Sequence, residues 1–176
     1  DRSLHHEPAE VARLGVALAK GMEAGGVASC AKHFPGHGDT TKDSHLDLPS
    51  LPHAMERLEA VELVPFKAYA QANLASVMTA HVVFDALDAR VPATMSRKVM
   101  TGLLREQLGF KGVIVSDDLE MKAVADHFPI ERAVVDRDCV VGAGCRVGSP
   151  DTDLDDPDAI TLVGRASRIG AGAVVA

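Results

Sequence analysis

The chain has 176 residues, of which 47% are hydrophobic and 24% charged, and a formal net charge of −7. That length can bury one real core, and an acidic balance with no basic stripe argues against nucleic acid or an anionic membrane as partner. No run approaches the ~18 consecutive apolar residues of a membrane-spanning helix, and Asp1-Arg2-Ser3 is not followed by a signal-peptide apolar region.

Helical patterns alternate with short apolar runs from residue 1 to about 128, which is the pattern of an α/β fold. Over 7–24, Val11, Leu14, Val16, Leu18 and Met22 recur among charged positions, predicting an amphipathic helix that Gly25-Gly26 ends. Residues 27–33 then read as a buried strand that delivers Lys32 and His33 at its C-terminal end. A helical region follows over 53–73, with Pro65 in the first turn of a new segment, because an interior proline costs about 3 kcal/mol. Residues 75–82 read as a strand ending near His81. Ser96 is the expected N-cap of a helix over 97–108, Gly109 stops it, and 113–116 forms a strand ending at Asp117. The Met and Val positions read as core, whereas His5, His6, His53 and His127 read as surface or loop. His81 reads either as a pocket residue or as a satisfied core histidine.

The texture changes near residue 130. Aliphatic residues recur every sixth position at Val135, Val141 and Val147, and again at Val163, Ile169 and Val175. A six-residue period with glycine beside the aliphatic position predicts a left-handed parallel β-helix, interrupted by an acidic loop over 149–159. Three cysteines, Cys30, Cys139 and Cys145, form no C-x-x-C pair and suggest no disulfide framework, which favours a reducing, cytoplasmic setting.

The chemistry concentrates in Lys32-His33-Phe34-Pro35-Gly36-His37-Gly38-Asp39-Thr40-Thr41-Lys42-Asp43-Ser44-His45, where proton-handling side chains alternate with turn formers. An imidazole with a pKa near ~6.5 exchanges protons at neutral pH, and a neighbouring carboxylate favours its protonated form. On an extended segment Asp43 and His45 share a side. The plain alternative is a solvated turn. Further on, Gly109-Phe110-Lys111-Gly112-Val113-Ile114-Val115-Ser116-Asp117-Asp118-Leu119 presents two acids after an apolar strand; the plain alternative for Asp117 is the N-cap of a helix over 119–125.

Both stretches resemble the family 3 glycoside hydrolases, in the β-N-acetylglucosaminidase branch, whose hallmark is Lys-His-Phe-Pro-Gly-His-Gly followed by Asp-Ser-His. The resemblance implies a partial (β/α)8 barrel over 1–128 and a retaining hydrolase of terminal β-linked N-acetylglucosamine on peptidoglycan fragments, with no metal or cofactor. It implies Asp117 as nucleophile, with Asp118 the competitor that spacing alone does not separate. It implies His45 as acid/base, Asp43 as the residue that orients it, and Lys32, His33 and Arg2 as sugar-binding residues. His37 is then structural. The family barrel typically needs ~250 residues, so the matched stretch corresponds to about the fourth to sixth strands, and weak or no activity is expected of this chain alone. The 129–176 segment resembles the hexapeptide-repeat ends of sugar-nucleotide pyrophosphorylases, ADP-glucose pyrophosphorylase in particular, and offers a route to a homo-oligomer.

Two other functions compete. A metal-dependent hydrolase could use His33, His37, His45 and Asp43, although no H-E-x-x-H or other standard spacing is present. Alternatively the tail is the functional part, as a non-catalytic oligomerising or regulatory module.

Overall fold

Glycines and prolines divide the chain into its elements. A computed structural model describes residues 3–40, 47–119 and 121–125, and six short strands between 133 and 175. It resolves into two units, one comprising Asp1–Ser44 with Leu48–Asp117, the other His45–Asp47 with Asp118–Ala176.

In the first unit, α1 (Pro8–Ala24) opens on a proline, whose missing N–H is unneeded at a helix start. Gly26, at φ +82°, follows its end. The helix buries Ala12 and Ala19, whereas Leu18 and Met22 are 58% and 39% exposed. The expected stripe is corrected at these two positions, while Val16 packs against the core; α1 lies on α3 (Leu63–Gln71) with its alanines buried, which lets two helix axes approach closely.

Three strands, β1 (Cys30–Phe34), β3 (Ser76–Thr79) and β5 (Val113–Ser116), form a parallel sheet in the order β1-β3-β5. Helices α2 (Met55–Ala60) and α3 connect the first two strands, with Pro65 in the first turn of α3 as expected. The next connection carries a helix over Lys98–Gln107 that is π-type rather than the expected α. Its last turn is wide, Leu108 N donating to Leu103 O, five residues back. Arg105 Nη1 then satisfies the carbonyls of Phe110 and Gly112 at 2.9 and 2.6 Å. Ser96 acts as a cap, its Oγ accepting from Val99 N at 3.3 Å.

Phe34, Leu58, Phe66, Val77, Leu104 and Phe110 form the centre of the core. Phe34 meets Phe66 edge to face at 5.1 Å, and burying each such side chain stabilises by about 1.5–3 kcal/mol. Val27 and Val113 are 56% and 61% exposed, so not every valine is core; Val113 begins β5, one of the two outer strands of the three. At the N-terminal ends of the strands, Tyr69 O–H reaches Ser29 Oγ, and Ser29 in turn donates to Glu23 Oε1. Ala75 N donates to the same oxygen at 2.8 Å. This clasp joins α1, α3 and the strand starts.

A second parallel pair, β2 (Ser50–Leu51) and β4 (Val83–Phe84), fixes the chain returning from the histidine-rich loop. Val83 N donates to Pro49 O at 2.9 Å, and Ser50 Oγ donates to Asp85 Oδ1 at 3.0 Å.

The second unit contains the short helix α4 (Lys122–Ala125), with Met121, Ala123 and Val124 buried. It also contains β6 (Ala133–Val135), β7 (Val140–Val141), β8 (Arg146–Val147), β9 (Thr161–Val163), β10 (Arg168–Ile169) and β11 (Val174–Val175). These pair in parallel, Ala133 with Thr161, Val140 with Arg168 and Arg146 with Val174, one constant sequence offset throughout. The acidic loop expected over 149–159 lies outside the described residues.

Candidate active site

Parallel strands place their C-terminal ends at one edge of the sheet, and each of the three ends here carries a polar side chain. β1 delivers His33, β3 leads to His81, and β5 leads to Asp117. His33 Nε2 lies 3.3 Å from Asp117 Oδ2, with the two side chains 27% and 22% exposed. Phe34 and Pro35, both buried, anchor the exit of β1, and Gly36, at φ +150°, turns the chain away. The Lys32–His33 and Phe34–Pro35 bonds are cis, and the pairing of β1 with β3 shifts between Ala31 and Phe34.

Burial holds the His33 imidazole below its ordinary pKa. Asp117 opposes this shift, while the nearby Lys32, His37 and His81 reinforce it. His33 is therefore neutral at pH 7. A neutral ring can donate a hydrogen bond without cancelling a charge on Asp117.

His81 is 1% exposed. The Thr94 hydroxyl lies 3.0 Å from Ala80 O and 2.9 Å from His81 Nδ1, which ties the buried ring to the turn after β3. Thr79 Oγ1 completes the arrangement by donating to Thr94 Oγ1 at 3.0 Å. The buried-histidine reading of His81 thus holds, and its place at a strand end also sets it beside the site. His37 stands T-shaped to His33 at 5.5 Å between centroids, and its Nδ1 is 3.0 Å from Thr40 Oγ1.

Of the residues singled out from sequence, His33 and Asp117 are brought together. Lys32 is exposed on β1, and Asp118 is exposed too. Arg2, Asp43 and His45 lie outside the described residues. His53, read as a surface or loop residue, lies in the loop between Leu51 and Met55, its side chain 20% exposed and bound to Asp39. Thr94 was not foreseen; its short 3-10 turn, Ala93–Met95, carries only the weak signal of a preceding proline. Among the described residues no group of three or more His, Cys, Asp or Glu side chains is disposed to hold a metal ion.

Parallel strands joined by helices, with acid and imidazole groups gathered at the strand C-termini, define a (β/α)-barrel type of site. The chain belongs to glycosyl hydrolase family 3: the model of the family's N-terminal domain matches residues 1–151. It is 45% identical over 148 residues to a beta-hexosaminidase of Neisseria meningitidis serogroup C, covering 84% of this chain and 40% of that protein. The family 3 beta-N-acetylglucosaminidase of a Paenibacillus species superposes with a TM-score of 0.66 at 50% identity, over 68% of this chain and 23% of that one. NagZ of Neisseria gonorrhoeae, solved with N-trifluoroacetyl-D-glucosamine, superposes with a TM-score of 0.64 at 48% identity, over 69% and 35% of the two chains. The chain therefore spans less than half the length of these relatives.

Proposed function

We propose that this chain carries the nucleophile and acid/base half of a retaining β-N-acetylglucosaminidase site. The observation that carries the reading is the 3.3 Å approach of His33 to Asp117 at the C-terminal ends of β1 and β5, in a chain of family 3. Asp117 attacks the anomeric carbon and forms a glycosyl ester as the bond to the leaving oxygen breaks, while His45 gives that oxygen a proton. In the second step His45 takes a proton from water, the water attacks the anomeric carbon, and Asp117 departs. Asp43 orients His45 and favours its charged form. His33, neutral, holds Asp117 and a sugar hydroxyl; Lys32 and Arg2 donate to further hydroxyls.

Terminal β-linked N-acetylglucosamine of peptidoglycan fragments is the proposed substrate, and cytoplasmic recycling the setting. The carbohydrate complex of the gonococcal relative supports a sugar ligand. No described helix is long and apolar enough to cross a membrane. The proposed division is a barrel segment over 1–128 and a hexapeptide β-helix over 129–176. The six-residue spacing of the ends of β6, β7 and β8 and the constant offset to their partners support stacked coils, each of these strands pairing with the third strand after it. Such a stack offers an end for self-association.

Release of chromophore from an aryl β-N-acetylglucosaminide tests the reading. Slow turnover is expected, lost in Asp117→Ala and strongly lowered in His45→Ala. Turnover that survives Asp117→Ala overturns it.

A further inference from the structure

The loop leaving β1 is gripped from one side by a charged cluster to which the proposed chemistry assigns no role. Glu62, just before α3, has a side chain only 10% exposed. Its Oε1 accepts from Arg57 Nη2 at 2.9 Å, while its Oε2 is buried with no hydrogen-bond partner among the described residues. Arg57 Nη2 also lies 3.8 Å from Asp39 Oδ2, and His53 Nε2 is 2.9 Å from that same oxygen. On the loop itself, Gly36 sits so near Glu62 that a Cβ there would fall 2.6 Å from Glu62 Cγ. The segment around α2 therefore holds the loop twice, at Gly36 through the stem of Glu62 and at Asp39 through His53 and Arg57.

These two grips are coupled through one side chain. A buried carboxylate with one oxygen unpartnered depends heavily on its single cation, because losing that cation leaves a charge in a poor solvent. The same guanidinium nitrogen, Nη2, faces Asp39, so one group stands between the two acids. Moving Arg57 therefore shifts Glu62 against Gly36 and at the same time removes one of the two contacts to Asp39, leaving that of His53.

We infer that Arg57 and Glu62 are positioning residues, which with Asp39 and His53 set the pose of the 36–40 turn from which the Asp43-Ser44-His45 segment extends. The catalytic consequence rests on the reading of His45 as acid/base. The hold on the loop does not.

Hydrogen–deuterium exchange on the whole chain, read by mass spectrometry, tests the hold without requiring turnover. Three variants are compared with the native chain: Asp39→Asn, Arg57→Gln, and the pair Arg57→Gln with Glu62→Gln. The pair removes the buried charge together with its cation and so guards against simple unfolding. Exchange over 35–40 is expected to rise about fivefold in each, the size of a partly exposed charge contact, with α1 and β3 unchanged. Arg57→Lys, keeping the charge on a stem of different length and shape, is expected to recover only part of the protection. Unchanged exchange at 35–40, or an equal rise throughout the first unit, overturns the inference.

The consequence for chemistry is read with two aryl β-N-acetylglucosaminides whose leaving phenols have low and high pKa. A misplaced acid penalises mainly the poor leaving group, so kcat/KM for Arg57→Gln is expected to fall about fivefold further on that substrate. An equal fall on both contradicts a positioning role. Should the native chain turn over neither substrate while exchange still responds, this span of the family barrel does not suffice for turnover, and the hold on the loop stands on exchange alone.

Discussion

His33 Nε2 and Asp117 Oδ2 lie 3.3 Å apart although they belong to β1 and β5, strands separated by β3 in the sheet. Two chemically unlike groups from distant parts of the sequence thus share one edge of the sheet. Replacing His33 by Gln removes the ring while retaining a donor, and kcat/KM is expected to fall about tenfold to a hundredfold by misplacing Asp117. Steady-state kinetics on an aryl β-N-acetylglucosaminide measures this.

The same histidine makes folding pH-dependent. Its folded pKa lies below the ordinary imidazole value because the ring is desolvated, so below about pH 6.5 the unfolded chain takes up the proton first. Its contribution to stability is complete above that pH and declines as pH falls towards the folded pKa. Urea midpoints measured from pH 8 to pH 5 should fall less steeply for His33→Asn than for the native chain.

The clasp of Tyr69, Ser29 and Glu23 lies at the opposite ends of the strands from Asp117. Tyr69→Phe removes one buried hydroxyl that donates to Ser29, and a loss of about 1 kcal/mol is expected by chemical denaturation, with kcat unchanged. The Ser29 hydroxyl, then the Ala75 amide, hold the Glu23 carboxyl below its usual range. Its contribution is present above the unfolded carboxyl pKa and is lost as pH falls through the folded one. Glu23→Gln should therefore shallow the acid limb of stability.

Gly112 marks the tightest backbone approach in the sheet. An added Cβ would meet Ala75 O at 2.3 Å and Leu74 O at 2.8 Å, main-chain atoms held by the adjoining pairing of Val113 with Ser76. Gly112→Ala is expected to destabilise by about 3 kcal/mol. A thermal scan checks this, against Gly102→Ala as control, where a Cβ meets nothing within 4 Å.

Much of this was legible in residue order. The Gly25-Gly26 pair marked the end of α1 and Pro65 the start of α3 because proline and glycine restrict or free the backbone locally, without help from tertiary contacts. The strand over 113–116 was readable from its apolar run alone. The wide helix at Lys98–Gln107 was not, since hydrophobic spacing does not distinguish a π turn from an α turn once Arg105 reaches forward to satisfy carbonyls beyond the helix. Nor did apolar identity reveal that Leu18, Met22 and Val113 face outward: burial depends on which neighbours the fold supplies. At the site, the motif exposed His33 and Asp117 as types of side chain, but their approach, and the Thr94 contact that orients His81, arise from parallel pairing over long sequence separations.

Trapping the covalent intermediate tests the central claim most directly. A fluorinated N-acetylglucosaminyl donor with an excellent leaving group slows both steps by destabilising positive charge on the sugar, while the leaving group restores the first, so the ester accumulates. Peptide mapping of the treated chain should place one sugar on Asp117, and the label should vanish in Asp117→Asn. A label on Asp118 or any other residue, or one that persists in Asp117→Asn, contradicts the assignment of Asp117 as the nucleophile.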